Sequence, residues 1–163
     1  MTPIILLDCL KEFVQEATKN MKLQSRVQGN NPDEQKEKNA EVFLMRLPDK
    51  NARQNRVPYI LLQLLTGKDD QQERNPAEST VQVRAVVCTY SSDESVGSMD
   101  VLNVILRLRS ELEKTGIIGE RFVLQYPLEY LIYPDDTHPY FFGEMMLNFS
   151  IPTIKREVEE LWQ

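Results

Sequence analysis

The sequence predicts an α+β domain, a mostly antiparallel or mixed sheet of about five strands with two main helices packed on it, in the order α-β-β-β-α-β-β. Three observations carry that expectation. The segment Tyr140 to Ile151 alternates with period two, placing Phe141, Gly143, Met145, Leu147, Phe149 and Ile151 on one face and Glu144, Asn148 and Ser150 on the other, the pattern of a half-buried antiparallel strand. From Ser98 to Gly116 the apolar residues Val101, Leu102, Ile105, Leu108 and Leu112 recur at helical steps between a capping serine and a closing Lys114 and glycine. A length of 163 residues with 41% hydrophobic content supports one core and is short for two, so residues 1–158 read as a single domain and 159–163 as a C-terminal tail.

The first element is a helix, with Thr2 as N-cap, Pro3 in the first helical position and Leu7, Leu10, Val14, Ala17 and Met21 along one stripe. Residues 24–40 then turn polar and carry mixed charge around Gly29-Asn30-Asn31-Pro32, too little apolar surface to offset the entropy of ordering them, which predicts a mobile insertion. Val42 to Leu47 reads as a strand closed by Pro48-Asp49. Tyr59 to Leu65 is apolar on both faces and is expected to be central in its sheet. A second polar insertion, residues 68–79, is expected to be mobile and to join that strand to an antiparallel partner from Thr80 to Tyr90, where Val81, Val83, Ala85 and Val87 alternate with Gln82 and Arg84. After the long helix, Phe122 to Tyr133 forms one strand interrupted at Pro127, which marks a bulge or an edge position. Pro134 and Pro139 bracket a polar turn before the last strand.

The chain offers little reactive chemistry. The formal charge of −6 argues against binding nucleic acid through phosphate neutralisation, and no sequence-specific nucleic-acid partner is expected. Gly116-Ile117-Ile118-Gly119 lacks the Lys-Ser or Lys-Thr of a phosphate loop. His138 sits in a turn without a second histidine or a nearby nucleophile, and Asp135-Asp136 supplies too few oxygens for a hard cation. Glu157, Glu159 and Glu160 read as a solvated end rather than an acid-base pair. Cys9 and Cys88 lie in apolar stripes without metal-ligand spacing, so both are expected to be reduced thiols of a cytoplasmic protein. The N-terminal apolar run has no basic n-region and is broken by Asp8, Lys11 and Glu12, so neither an export signal nor a membrane span is expected. Tyr126, Tyr130, Tyr133, Tyr140, Phe141 and Phe142 crowd into a short span, but the charges among them are Glu129, Asp135 and Asp136; this favours core packing or a protein interface over base stacking. Trp162 reads as either a docking anchor or part of a disordered tail.

Taken together, the leading helix, the strand opening at Val42-Phe43, the Pro58-Tyr59-Ile60-Leu61-Leu62-Gln63-Leu64 segment, the long helix from Ser98 and the closing Pro139-Tyr140-Phe141-Phe142-Gly143-Glu144 run, which reaches Ser150-Ile151-Pro152-Thr153-Ile154-Lys155-Arg156-Glu157, resemble the small tail-terminator, or tail-completion, proteins of long-tailed bacteriophages and prophages. That resemblance implies a structural virion protein and not an enzyme, with no cofactor. It implies a homo-oligomer, usually a hexameric ring, that caps the tail tube, stops its polymerisation and presents a surface to the head-tail connector. It also implies residence in the host bacterial cytoplasm during assembly and then at the virion tail neck. If such a ring forms, its contacts are expected on charged connections, with Arg53, Arg56, Lys68, Asp69, Asp70, Glu73 and Arg74 as the candidate subunit or partner contacts. The alternatives are another neck or head-completion component of the same virion, or a small cytoplasmic ligand-binding or regulatory domain whose pocket lies under the strand from Phe141 to Phe149.

Overall fold

The computed structural model describes residues 2–26, 37–49, 56–135 and 137–155. In chain order the elements are α1 (Pro3–Thr18), β1 (Leu23–Gln24), β2 (Glu37–Lys38), β3 (Glu41–Leu44), β4 (Tyr59–Asp70), β5 (Glu78–Tyr90), α2 (Glu94–Thr115), β6 (Ile117–Ile118), β7 (Phe122–Ile132) and β8 (Tyr140–Ile151). Among the described residues the fold is thus α+β, with two helices, a six-stranded mixed sheet ordered β3-β4-β5-β8-β7-β6 and a separate two-stranded sheet β1-β2. Among the described residues only the β3–β4 pair is parallel, and every other pairing is antiparallel.

Strand count and order differ from the expectation because β1, β2 and β6 are two-residue bridges, too short to carry a readable period. Two of them, β1 and β2, fall at the two ends of the 24–40 insertion, whose residues 27–36 lie outside the described part. The expected antiparallel pairing of the strands around residues 68–79 is present, with Tyr59 opposite Cys88 and Leu62 opposite Ala85. The strand from Tyr59 is interior but next to the edge, while β5 and β8 take the middle of the sheet. The strand from Val42 ends at Leu44 rather than Leu47, because Met45 turns to a left-handed φ of 66° and its N–H donates to the Leu62 carbonyl at 2.7 Å. At Pro127 the register of β7 slips between Gln125 and Glu129, and β6 covers the outer edge of β7 only at Val123 and Phe122, so Pro127 marks both a bulge and an edge.

Both helices pack on one face of the sheet. Leu6, Leu10 and Val14 of α1 and Val101, Val104, Ile105, Leu108 and Leu112 of α2 bury against Ile60, Leu62, Val83, Val87, Met145, Leu147 and Phe149. Val104 joins this core, while Leu102, expected within it, is only half-buried. The helix starts at Glu94 rather than after Ser98, because the Asp93 carboxylate accepts from the Ser95 backbone N–H at 2.9 Å and from its hydroxyl at 2.7 Å. Gly143 lets α2 approach the sheet: a Cβ there would sit 2.6 Å from Val101 Cγ1 and 2.8 Å from Ile105 Cδ1. The other face of the sheet carries a smaller buried cluster of Val57, Tyr59, Leu61, Val86 and Cys88, flanked by Phe43, Leu47 and Phe142. Neither cysteine forms a disulfide; Cys88 is buried and Cys9 half-buried.

Candidate functional site

Two surface features stand out, and both begin on β4. The first is an arm. β3 pairs with β4 only as far as Leu62, whereas β4 continues to Asp70 against β5, so the outer edge of β4 beyond Leu65 has no strand beside it among the described residues. Residues 65–78 are all exposed, and Leu65 shows 47% of its surface. Main-chain pairing holds this stretch where side-chain burial does not, with Lys68 opposite Thr80 and Asp70 opposite Glu78. The tip is a tight turn in which Arg74 adopts a φ of 71° and the Asn75 N–H donates to the Gln72 carbonyl at 3.1 Å.

Lys68, Asp69 and Asp70 therefore stand on a strand rather than in the loose connection expected for residues 68–79, because hairpin pairing needs no apolar alternation. Within the arm, Lys68 Nζ lies 3.2 Å from the Asp70 carboxylate and the Ser79 hydroxyl donates to Asp69. Asp69 thus serves the hairpin itself, Asp70 is exposed but shares its charge with Lys68, and Glu73 and Arg74 present theirs to solvent. Arg56 does not join this group. It precedes β4 at the opposite end, 3.6 Å from Glu41, and β4 separates it from the arm tip by roughly 35 Å at the rise of a strand. Arg53 lies outside the described residues.

The second feature is an open trough of about 660 Å³ on the face that carries no helix, with Leu61, Val86 and Phe142 along its floor. Arg84 of β5 lines it and is fixed from two sides: its Nε donates to Glu144 of β8, and an Nη2 hydrogen donates to the Tyr133 hydroxyl at 2.8 Å. That hydroxyl in turn donates to Glu144 at 3.1 Å. Burial pushes the Arg84 guanidinium down, but the hydrogen bonds and charges of Glu144 and Tyr133 outweigh it and hold the group above the usual arginine value. Tyr133 stacks on Phe142 with ring centroids 6.3 Å apart, forming an aromatic shelf beside the guanidinium. The side chains of Arg84, Glu144 and Tyr133 meet only because β5, β8 and the end of β7 are adjacent in space, and strand order is not written in any local pattern. The one local signal was the charge on the polar face of two otherwise apolar strands.

Among the described residues, no group of His, Cys, Asp and Glu side chains could hold a metal ion, and no helix is long and apolar enough to cross a membrane. His138 ties the turn before β8 to the start of α2: its ring Nε2 is 3.2 Å from the Ser92 carbonyl and its Nδ1 is 3.9 Å from Glu94. No protein-family profile matches the chain, and no curated protein sequence matches it.

Proposed function

We propose that this protein is a structural component of a phage or prophage tail, a ring-forming terminator that caps the tail tube, stops its polymerisation and offers a surface for head joining. The observation that most supports this reading is the arm at residues 65–78, charged, exposed along its length and held beyond the core by main-chain pairing rather than by apolar burial. A rigid helix-backed sheet carrying such a projection suits a subunit that must reach a neighbour in a fixed direction. The mechanism is then geometric: heterologous contacts close a ring, one ring face matches the last layer of the tube, and the other does not imitate a tube subunit. The sequence resemblance supplies the tail context.

Electron microscopy of tails assembled with and without the protein tests the reading. Tails of uncontrolled length that fail to join heads when the protein is omitted are expected. Tails of normal length made in its absence would sink it.

A further inference from the structure

We propose that the trough on the helix-free face is a binding site for an acidic and apolar segment of a protein partner, with Arg84 and Arg46 taking a carboxylate and the Tyr133–Phe142 shelf taking the neighbouring apolar side chain. A cross-strand ion pair would by itself explain Arg84 and Glu144. What it leaves unexplained is the arrangement around them: Glu144 does not line the trough, Arg84 does, and the Tyr133 hydroxyl fixes the guanidinium from a second side. A guanidinium carries five N–H donors, and the bonds to Glu144 and Tyr133 leave others for a ligand that reaches it from the trough. Its fork is thus pre-organised, which lowers the ordering cost of binding.

Arg46 stands on the same lining, exposed and without an ion-pair partner among the described residues. Asp49 also lines the trough but has a partner of its own. On the lining itself two arginines stand against one aspartate, while the floor of Leu61, Val86 and Phe142 is apolar. Sites for small molecules enclose most of their ligand. This trough is open along its solvent side, which suits a length of chain lying across it. The proposal does not depend on the terminator reading, because it uses neither the arm nor a ring.

The test is fluorescence anisotropy of the full-length protein with a fluorescein-labelled synthetic peptide carrying glutamates beside a phenylalanine and a leucine. The peptide is expected to bind, its version with glutamine for glutamate is expected to bind about tenfold more weakly, and Arg84→Gln and Arg46→Gln are each expected to weaken the original peptide by a similar factor, the range of a charge-assisted hydrogen bond. Arg46 is exposed and outside both buried clusters, so Arg46→Gln remains a fair test even if Arg84→Gln, which leaves Glu144 without its partner, does not fold. Absence of binding, equal binding of the glutamine peptide, or an unchanged affinity in Arg46→Gln would overturn the proposal. Phenylacetate that displaces the peptide with equal affinity would assign the trough to a small acid and overturn the protein partner.

Discussion

Ile105 is fully buried, and its Cδ1 lies where a Cβ on Gly143 would clash, so the side chain fills the contact between α2 and β8. Ile105→Ala should lower stability by about 2 to 5 kcal/mol through lost burial and a residual cavity, measured by urea denaturation. A loss below about 0.5 kcal/mol, the range of ordinary surface changes, would contradict the packing. Asp93 makes a second prediction. The Ser95 hydroxyl and then the Ser95 backbone N–H hold its carboxyl below the usual aspartate range. A depressed carboxyl stabilises the fold fully above its unfolded value, roughly pH 3.9, and that contribution fades as pH falls through the lower folded value. Thermal melts of the wild type and Asp93→Ala should therefore differ at neutral pH and converge on acidification below about pH 4. A difference that stays constant to pH 2 would remove the carboxylate from the cap. The sequence already marked Ile105, because helical spacing identifies a buried stripe. It did not mark Asp93, since Ser98 offered an equally good capping side chain and only the hydrogen bonds choose between them.

At the scale of elements, strands long enough to show alternation were legible: β5 buries Val81, Val83, Ala85 and Val87, and β8 buries Gly143, Met145, Leu147 and Phe149, with Phe141 and Ile151 of the same face half-buried near its ends. The charged end of β4 was not, because a strand held by its neighbour's backbone needs no apolar face, and polar composition then looks the same as a loop. That difference decides which charges to change in the arm. Reversing Asp69 would disturb its bond from Ser79, a 5% exposed residue, so the informative variant combines Asp70→Lys with Glu73→Lys. It should leave circular dichroism and the melting temperature close to wild type, as expected for exposed positions. If the arm contacts a neighbouring subunit or the tube, ring closure or tube capping should weaken in tails imaged by electron microscopy, most strongly at low salt, where charges are least screened. Normal tail length and normal head joining at low salt would remove the arm from the mechanism.

For the molecule as a whole, fold class was legible and strand order was not, since alternation reports which face a strand buries but never which strand lies beside it. The candidate charges show the same limit. Seven were singled out from composition, and the structure gathers Lys68, Asp69, Asp70, Glu73 and Arg74 on one arm while leaving Arg56 at the far end of β4. The trough residues Arg84 and Tyr133, and Glu144 which bonds to both, come from three different stretches of chain, so no motif could have joined them. A ring-forming subunit should also show itself in solution: sedimentation at rising concentration is expected to move from a 19.0 kDa monomer toward a closed species several times that mass. A protein that remains monomeric at high concentration and does not bind tube ends would count against the ring.

β4 is one strand with two unlike environments, fully buried from Tyr59 to Leu62 and exposed from Leu65 to Asp70. Amide hydrogen exchange should read that change along its length. The amides of Ile60 and Leu62 can exchange only when the whole domain opens, whereas those from Thr66 to Asp70 need no more than a local parting of the hairpin. A protection profile that falls steeply between Leu62 and Thr66 is expected, and a flat one would show that the arm and the core open together. The same strand therefore joins the most durable part of the molecule to one of its most easily opened. A partner that grips the arm would be detected as slowed exchange at its far end, with no change at Tyr59.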